Sequence, residues 1–347
     1  MSDRTLPVEG TNDSHTLLNL INGYRVTQAI YVVASLGIPD LLNDRPGDSC
    51  DLAATTGCDA KALYRVLRAL AAVGILHEHR DGRFALTPLG VGLRSEAHGS
   101  RHAWARFVGR SAVWDAWGEL LHTVRTGENA FSHVHGMDTW HFRAQCPQES
   151  AIFDAAMREG TSRLADSLLA SYDFSPFRNI VDLGGGDGTM LARILAQCLK
   201  ATGRLLDLPH VAARAHDVFA AKGVADRAAV VPGSFFEKVP TGGDLYVLKH
   251  VIHDWEDADA IAILGNCRRE MSTGARLILI ERIIGDPNED AETAFSDLNM
   301  LVNAGGRERT RNEFDDLLRE AGLVMGAVTS LPASQFIIAA ARHAAST

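Results

Sequence analysis

From Asp173 onward, short β-rich runs alternate with helical ones, and no other feature of the chain restricts its fold as much. NIVDLGGG precedes MLARILAQCL, RLLDLPHV precedes HDVFAAKGV, and DLYVLKHV precedes ADAIAILGNCRREM, with AAVVPGSFF, ARLILIERII and RNEFDDLLREAG continuing the pattern. Strands separated by helices pair in parallel, because each helix returns the chain across a sheet face; an α/β, doubly wound sheet is therefore predicted over 172–347. The end differs: GLVMGAVTSLPASQFIIAAARH holds two apolar runs joined by a short turn with no helix between. That predicts an antiparallel hairpin closing the sheet.

A chain of 347 residues exceeds the usual single domain, and the texture before Asp173 is of another kind. Leu17, Leu20, Ile21, Tyr24, Ala29, Ile30, Val33 and Leu36 fall at helical spacing. Next, DLAATTGCDAKALYRVLRALAAVGIL reads as helix, turn at Gly57 and second helix ending at Gly74, and HEHRDGRFALTPLG as a hairpin turning at Asp81-Gly82. Together they suggest a winged helix over 1–100. Such a unit serves either DNA binding or dimer contacts. Lys61, Arg65 and Arg68 are no more than a solvated helix face carries, so dimerisation is preferred and a transcriptional regulator is the alternative from a different class. Residues 101–171, helical and rich in aromatics without a repeat, form a packed connection.

Composition removes several classes of partner. A formal charge of −9 with no like-charged block disfavours nucleic acid. The five cysteines are scattered and never form C-x-x-C, which argues against a disulfide framework or a cysteine-rich zinc site and for a reducing, cytoplasmic setting. MSDRTLPVEG lacks an apolar secretory core, and IYVVASLGI is far shorter than the ~20 residues that span a bilayer, so no membrane association is expected.

The segment VDLGGGDGTM lies between a predicted strand and a helix, where glycines let the backbone approach a ligand at the strand ends. Read as a dinucleotide fingerprint it fails at Thr189, which stands in place of the third small residue. Read as acidic-x-G-x-G-x-G it is complete, with Asp182, Gly184, Gly186 and Gly188. Asp207, closing the next strand, is placed to accept both hydroxyls of a ribose. These residues alone leave NAD(P) and S-adenosylmethionine both open.

VDLGGGDG, LLDLPHV, LKHVIHDW, LIERII and GGRERT, in this order and with these separations, resemble the plant and bacterial small-molecule O-methyltransferases: plant caffeic acid and flavonoid enzymes, and actinobacterial enzymes that tailor secondary metabolites, antibiotics among them. The resemblance covers nearly the whole chain. It implies a class I methyltransferase Rossmann-like domain with a winged-helix-like N-terminal dimerisation domain, and a homodimer. It also implies that S-adenosylmethionine is held by Gly184, Gly185 and Gly186 of the glycine loop, by Asp207 with Leu208 beside the adenine, and by Lys249, Met157 and Thr161. The family's G-D-x-F appears as Gly233-Ser234-Phe235-Phe236, so Ser234 replaces an acidic residue and an altered adenine contact is expected.

Methyl transfer from sulfonium to a phenol of pKa ~10 asks for a neutral imidazole that takes the proton as attack proceeds. The resemblance assigns that base to His253, flanked by Glu281 and Glu308, and gives S-adenosylhomocysteine as the product. A carboxylate on the other ring nitrogen would fix the tautomer and stabilise the imidazolium. No metal is expected. If 244–251 is a strand, His250 and His253 project to opposite faces, and Asp254 is well placed to cap the following helix. His250 is the histidine expected to matter least. By the same resemblance a small aromatic acceptor meets Trp140, Phe153, Met157, Asp254, Phe295, Asn299, Met300 and Asn303; MLVNAGG is one residue short before Asn303 against plant members, so the pocket's shape does not transfer. The alternatives kept open are C- or N-methylation, the decarboxylases, hydroxylases and pericyclases among non-methylating relatives, and a nicotinamide oxidoreductase.

Overall fold

The computed structural model describes residues 12–342, which divide into two compact units at Ser111/Ala112. The stretch MSDRTLPVEG lies outside the described residues. In the first unit, helices Asn12–Ile21, Gly23–Ser35 and Ile38–Leu41 precede helices Ser49–Thr56 and Ala60–Ala72. Asp48 and Asp59 cap the latter two through their side chains, and Gly57 leaves the first in the left-handed conformation. Strands β1 (Leu76–Glu78) and β2 (Phe84–Leu86) pair antiparallel around the Asp81-Gly82 turn, completing the winged-helix pattern. Leu63, Leu67 and Leu70 recur at helical spacing on Ala60–Ala72 and are buried, with Phe84 of the hairpin in the same core.

The second unit is built on one sheet. Its strands are β3 (Asn179–Leu183), β4 (Thr202–Asp207), β5 (Ala228–Pro232), β6 (Leu245–Lys249), β7 (Arg276–Ile284), β8 (Arg309–Thr310), β9 (Leu323–Leu331) and β10 (Gln335–Arg342). They run in the order β5-β4-β3-β6-β7-β10-β9, with β8 beside β7. The pairs from β5 to β7 are parallel, whereas β10 is antiparallel to both β7 and β9, so the predicted closing hairpin is present. Strands β3 and β6 are almost wholly buried, as a parallel sheet covered on both faces requires. One face is covered by helices Asp257–Glu270 and Arg311–Glu320, the other by Thr189–Gln197, Ala215–Ala221 and the end of Pro147–Ser171. Chain order reverses at β3, which has β4 on one side and β6 on the other. A crevice at their carboxyl ends is where such sheets bind ligands. Among the described residues no helix is long and apolar enough to cross a membrane.

Candidate active site

The carboxyl end of β3 opens into the glycine loop. Gly184, Gly186 and Gly188 all have positive φ, at 66°, 63° and 79°, a conformation that costs side-chain-bearing residues energy. A Cβ at Gly184 would lie 2.8 Å from Val251 and one at Gly188 2.6 Å from Phe219, whereas one at Gly186 would meet nothing within 4 Å. The loop is thus packed on both sides and open at its centre. Asp207, at the end of β4, accepts the Gly186 N–H at 2.8 Å and the Leu208 N–H at 2.7 Å, tying the loop to the neighbouring strand. Asp182 is buried, and neither of its carboxylate oxygens has a hydrogen-bond partner. Asp187 accepts the Thr189 N–H and hydroxyl at the start of the following helix and pairs with Arg158; the sequence singled out neither, because Asp187 fills a variable position of the glycine pattern and Arg158 lies outside it.

Met157 and Thr161 share one turn of helix Pro147–Ser171, joined by the Thr161 hydroxyl donating to the Met157 carbonyl at 2.8 Å. Gly233 donates its N–H to the Asp207 carbonyl at 2.9 Å, and the Ser234 hydroxyl accepts from Phe236 N–H at 3.2 Å. Ser234 therefore shapes its own turn, and Phe235 packs near Gly184 and Trp255.

At the reacting end, His253, Glu281 and Glu308 converge from three separate segments. Glu308 Oε1 lies 3.0 Å from His253 Nδ1 and Glu281 Oε2 3.6 Å from the same nitrogen, while Nε2 faces Asp254 Oδ1 at 3.6 Å. Glu281 is completely buried on β7; its other oxygen accepts the N–H groups of Val251 at 3.0 Å and Ile252 at 2.8 Å, which fixes the turn that carries the histidine. Glu308 is held by the Ser296 hydroxyl at 2.7 Å and, through its backbone N–H, by Asp297. Burial works to lower His253, but the Glu281, Glu308 and Asp254 carboxylates outweigh it and push the ring up to about 10. Three ligand atoms from His253, Glu281 and Glu308 lie within 4.8 Å of one another, a grouping compact enough for a metal ion; His122, Glu128 and His133 form another among the described residues.

Arg309 locks this turn from behind. Fully buried, it donates to the carbonyls of Ile252 and Trp255 and to Asp257 at 2.7–3.1 Å. Gly306 packs so tightly that a Cβ there would overlap the His253 carbonyl oxygen and the Asp254 backbone. Both lie in GGRERT, whose functional reading had rested on Glu308 alone.

Two sequence expectations need correction. Strand β6 ends at Lys249, and His250 takes a left-handed conformation with φ 53°. The His250 and His253 rings therefore stack, with centroids 5.4 Å apart, instead of pointing to opposite faces. His250 Nε2 is engaged by Gln335 Oε1 at 2.6 Å and its Nδ1 lies 3.5 Å from Lys249 Nζ, so it is integrated into the site's wall. Asp254 caps no helix: it belongs to a short 3₁₀ turn, Ile252–Asp254, and the extended residue before helix Asp257–Glu270 is Glu256.

On the acceptor side, Trp140 stacks on Trp255 at 6.0 Å and meets Phe153 edge-on at 6.3 Å. Met300 and Asn303 are buried in a π-helical turn, Met300–Ala304, where Asn303 Nδ2 donates to Asn299 Oδ1 at 2.8 Å. Phe295 is 64% exposed.

Desolvation dominates the remaining titrations. Burial pushes Asp182 up to about 7, with Lys249 opposing, and Asp207 up to about 6, with the Gly186 and Leu208 N–H groups opposing. It likewise raises Glu281 to about 7 and Asp254 to about 6, and it lowers Lys249. Each raised group holds its proton more tightly when folded than unfolded, so its stabilising contribution is complete below the unfolded pKa and lost as pH climbs through the folded one. For these carboxylates the window runs from about 4 to 7, and His253 extends it upward; Glu308, lowered by His253 and Ser296 against the effect of burial, acts in the opposite sense. His250, which burial holds well below its ordinary value, opposes the raised groups up to about pH 6.5, so the ligand-free protein is expected to lose thermal stability between about pH 6.5 and 8 in scanning calorimetry. A Tm that climbs across this interval would show that the buried carboxylates are solvated.

A doubly wound sheet with a glycine loop, an aspartate at the adjoining strand end and a buried histidine flanked by two glutamates is the arrangement of a nucleotide-cofactor enzyme. Residues 117–324 match the model of the O-methyltransferase domain and residues 18–94 that of the O-methyltransferase dimerisation domain. The chain belongs to this family of S-adenosylmethionine-dependent O-methyltransferases. It is 40% identical over 312 residues to a phenazine O-methyltransferase of Lysobacter antibioticus, covering 90% of this chain and 91% of that protein. It is 41% identical over 303 residues to an 8-amino-8-demethylriboflavin N,N-dimethyltransferase of Streptomyces davaonensis, covering 86% of each. An O-methyltransferase from neocarzinostatin biosynthesis, crystallised with S-adenosylmethionine and 2-hydroxy-5-methyl naphthoic acid, superposes with a TM-score of 0.80 at 32% identity, covering 91% of this chain and 96% of that one.

Proposed function

We propose that this protein methylates a hydroxyl, phenolic foremost, of a small aromatic natural product, with His253 as general base, without a metal, and as a cytoplasmic homodimer joined through its N-terminal domain. The observation that carries this reading is the asymmetry of His253: both glutamates address Nδ1, leaving Nε2 as the nitrogen turned toward Asp254 and the acceptor side. Glu281 and Glu308 each have one oxygen engaged by protein donors, which orients both carboxylates toward the ring.

The residues present fit the cofactor. The open face of Gly186, the unpartnered carboxylate of Asp182 and the strand-end Asp207 supply a close backbone approach and hydrogen-bond acceptors where an amino group and a ribose need them. S-adenosylmethionine supplies a methyl group on a cationic sulfur, open to in-line attack. His253 takes the acceptor's proton at Nε2, and the carboxylates that raise its affinity for protons stabilise the resulting imidazolium. A fixed cation nearby lowers that affinity, the direction that favours a neutral ring.

An N-methylated acceptor is the second reading, favoured by the similarity to the riboflavin N,N-dimethyltransferase. An amine that attacks in its neutral form gains little from an anchored base, which is why the clamped histidine points to oxygen. Incubation with labelled S-adenosylmethionine and paired hydroxy- and amino-substituted aromatics should transfer label to the hydroxyl member. Thermal shifts should appear with S-adenosylhomocysteine and not with NAD, and Asp207→Ala should weaken S-adenosylhomocysteine binding by about 10- to 100-fold. Labelling of the amine alone, or stabilisation by NAD, would overturn the reading.

A further inference from the structure

Helix Thr139–Gln145 carries a cation into an otherwise aromatic wall. Arg143 is buried, with its guanidinium carbon 3.5 Å from the centroid of Phe153 and 5.1 Å from that of Trp140. Trp140 in turn stacks on Trp255, the neighbour of Asp254. Burial pulls Arg143 down to about 10 against the opposing Asp254 and Glu149 carboxylates, so it remains charged at neutral pH. Asp254 links this wall to the reacting centre, since it also lies 3.6 Å from His253 Nε2. A second observation is independent of the arginine: the indole Nε1–H of Trp140 is buried and has no hydrogen-bond partner. An indole N–H can only donate, and burying it without an acceptor is unfavourable.

A guanidinium and an indole N–H share one requirement, an oxygen that accepts. Aromatic rings against the guanidinium leave its edge as the direction for hydrogen bonds, and a planar carboxylate meets such an edge with two parallel contacts. We propose that Arg143 and Trp140 Nε1–H form an anchoring subsite for a carboxylate on the acceptor, so that the preferred substrates are hydroxyaryl carboxylic acids. This deepens the methyl-transfer reading and rests on it. The subsite holds one end of the acceptor while His253 takes the proton from its hydroxyl, and the anchored carboxylate takes no part in the proton transfer. Asp254, whose carboxylate opposes the effect of burial on Arg143, helps keep the arginine charged when no acid is bound.

The test uses the full-length protein saturated with S-adenosylhomocysteine and matched probes: 3,4-dihydroxybenzoate, 3-hydroxy-2-naphthoate and a hydroxyanthraquinone carboxylate, each against its carboxamide. Calorimetric titration should show at least one acid binding about 10- to 100-fold more tightly than its amide, the range expected for a buried charge-assisted contact. Arg143→Gln should erase that preference and Arg143→Lys retain part of it. Trp140→Phe, which keeps an aromatic ring and removes the donor, should cost the acid about 5- to 10-fold and the amide, whose carbonyl oxygen is a neutral acceptor, a smaller factor. S-adenosylhomocysteine affinity, measured on every variant, should stay constant and reports an intact fold. If acids and amides bind alike, or no acid binds while S-adenosylhomocysteine does, the anchoring subsite is wrong and the methyl-transfer reading stands. If S-adenosylhomocysteine itself fails to bind, the methyl-transfer reading fails first.

Discussion

Replacing His253 by alanine is expected to lower kcat by about 10²- to 10⁴-fold, the range that a positioned general base contributes. The ring is held at Nδ1 by Glu308 at 3.0 Å and Glu281 at 3.6 Å, so its removal deletes the base and also leaves two buried carboxylates facing each other. The KM for S-adenosylmethionine should change little, because the glycine loop and Asp207 are separate from this triad. A purely structural role predicts an equal loss at every pH. A lost base predicts recovery as the medium ionises the acceptor itself, toward the phenolic pKa of ~10. Turnover of the alanine variant, followed as S-adenosylhomocysteine release from pH 6 to 10, should therefore rise more steeply than that of the parent enzyme. Undiminished turnover at pH 7 would refute the assignment.

The other large effect is expected where no chemistry takes place. Arg309 is fully buried and joins Asp257 to the Ile252 and Trp255 carbonyls, the two ends of the turn bearing His253 and Asp254. Arg309→Ala removes these donors together and leaves buried acceptors unpaired, which should cost about 3 kcal/mol or more in urea unfolding. Where the fold survives, the turn is freed to move, and a displacement of about 1 Å at a reacting group is enough for a 10²-fold loss in rate. Gly306→Ala should reproduce the kinetic loss and also destabilise the fold, because its Cβ would overlap the His253 carbonyl oxygen and force the His253–Asp254 backbone to move. Should Arg309→Met match the parent in both stability and kcat, the clamp would be dispensable.

The parallel sheet was legible because burial on both faces demands apolar runs, and NIVDL and LYVLK supply them between helical stretches. The glycine loop was legible for a related reason: three glycines at alternate positions imply a backbone that other residues cannot follow, and all three adopt positive φ. His253, Glu281 and Glu308 could be named as a group from the resemblance, and the structure brings Glu308 within hydrogen-bonding range of His253 Nδ1 and Glu281 to 3.6 Å from it. What the sequence concealed lay at element ends. The left-handed turn at His250 reverses a facing argument that assumed a continuous strand, and it stacks two imidazoles that strand periodicity would separate. Asp254 resembled a helix cap because it stands just before a helix, yet its carboxylate faces an imidazole.

The chain by itself determined the order of its elements, the backbone path of its cofactor loop and the residue types available for proton transfer, because each depends on local periodicity, on φ or on side-chain chemistry. Tertiary structure alone decided which nitrogen of His253 the glutamates occupy, and that Arg309 and Gly306 brace the turn from behind. It alone put a buried arginine between Trp140 and Phe153. The His253–Glu308 and Arg309–Ile252 contacts join residues 55 and 57 positions apart, where burial sets both hydrogen bonding and proton affinity, and no local pattern in a chain encodes who its distant neighbours will be.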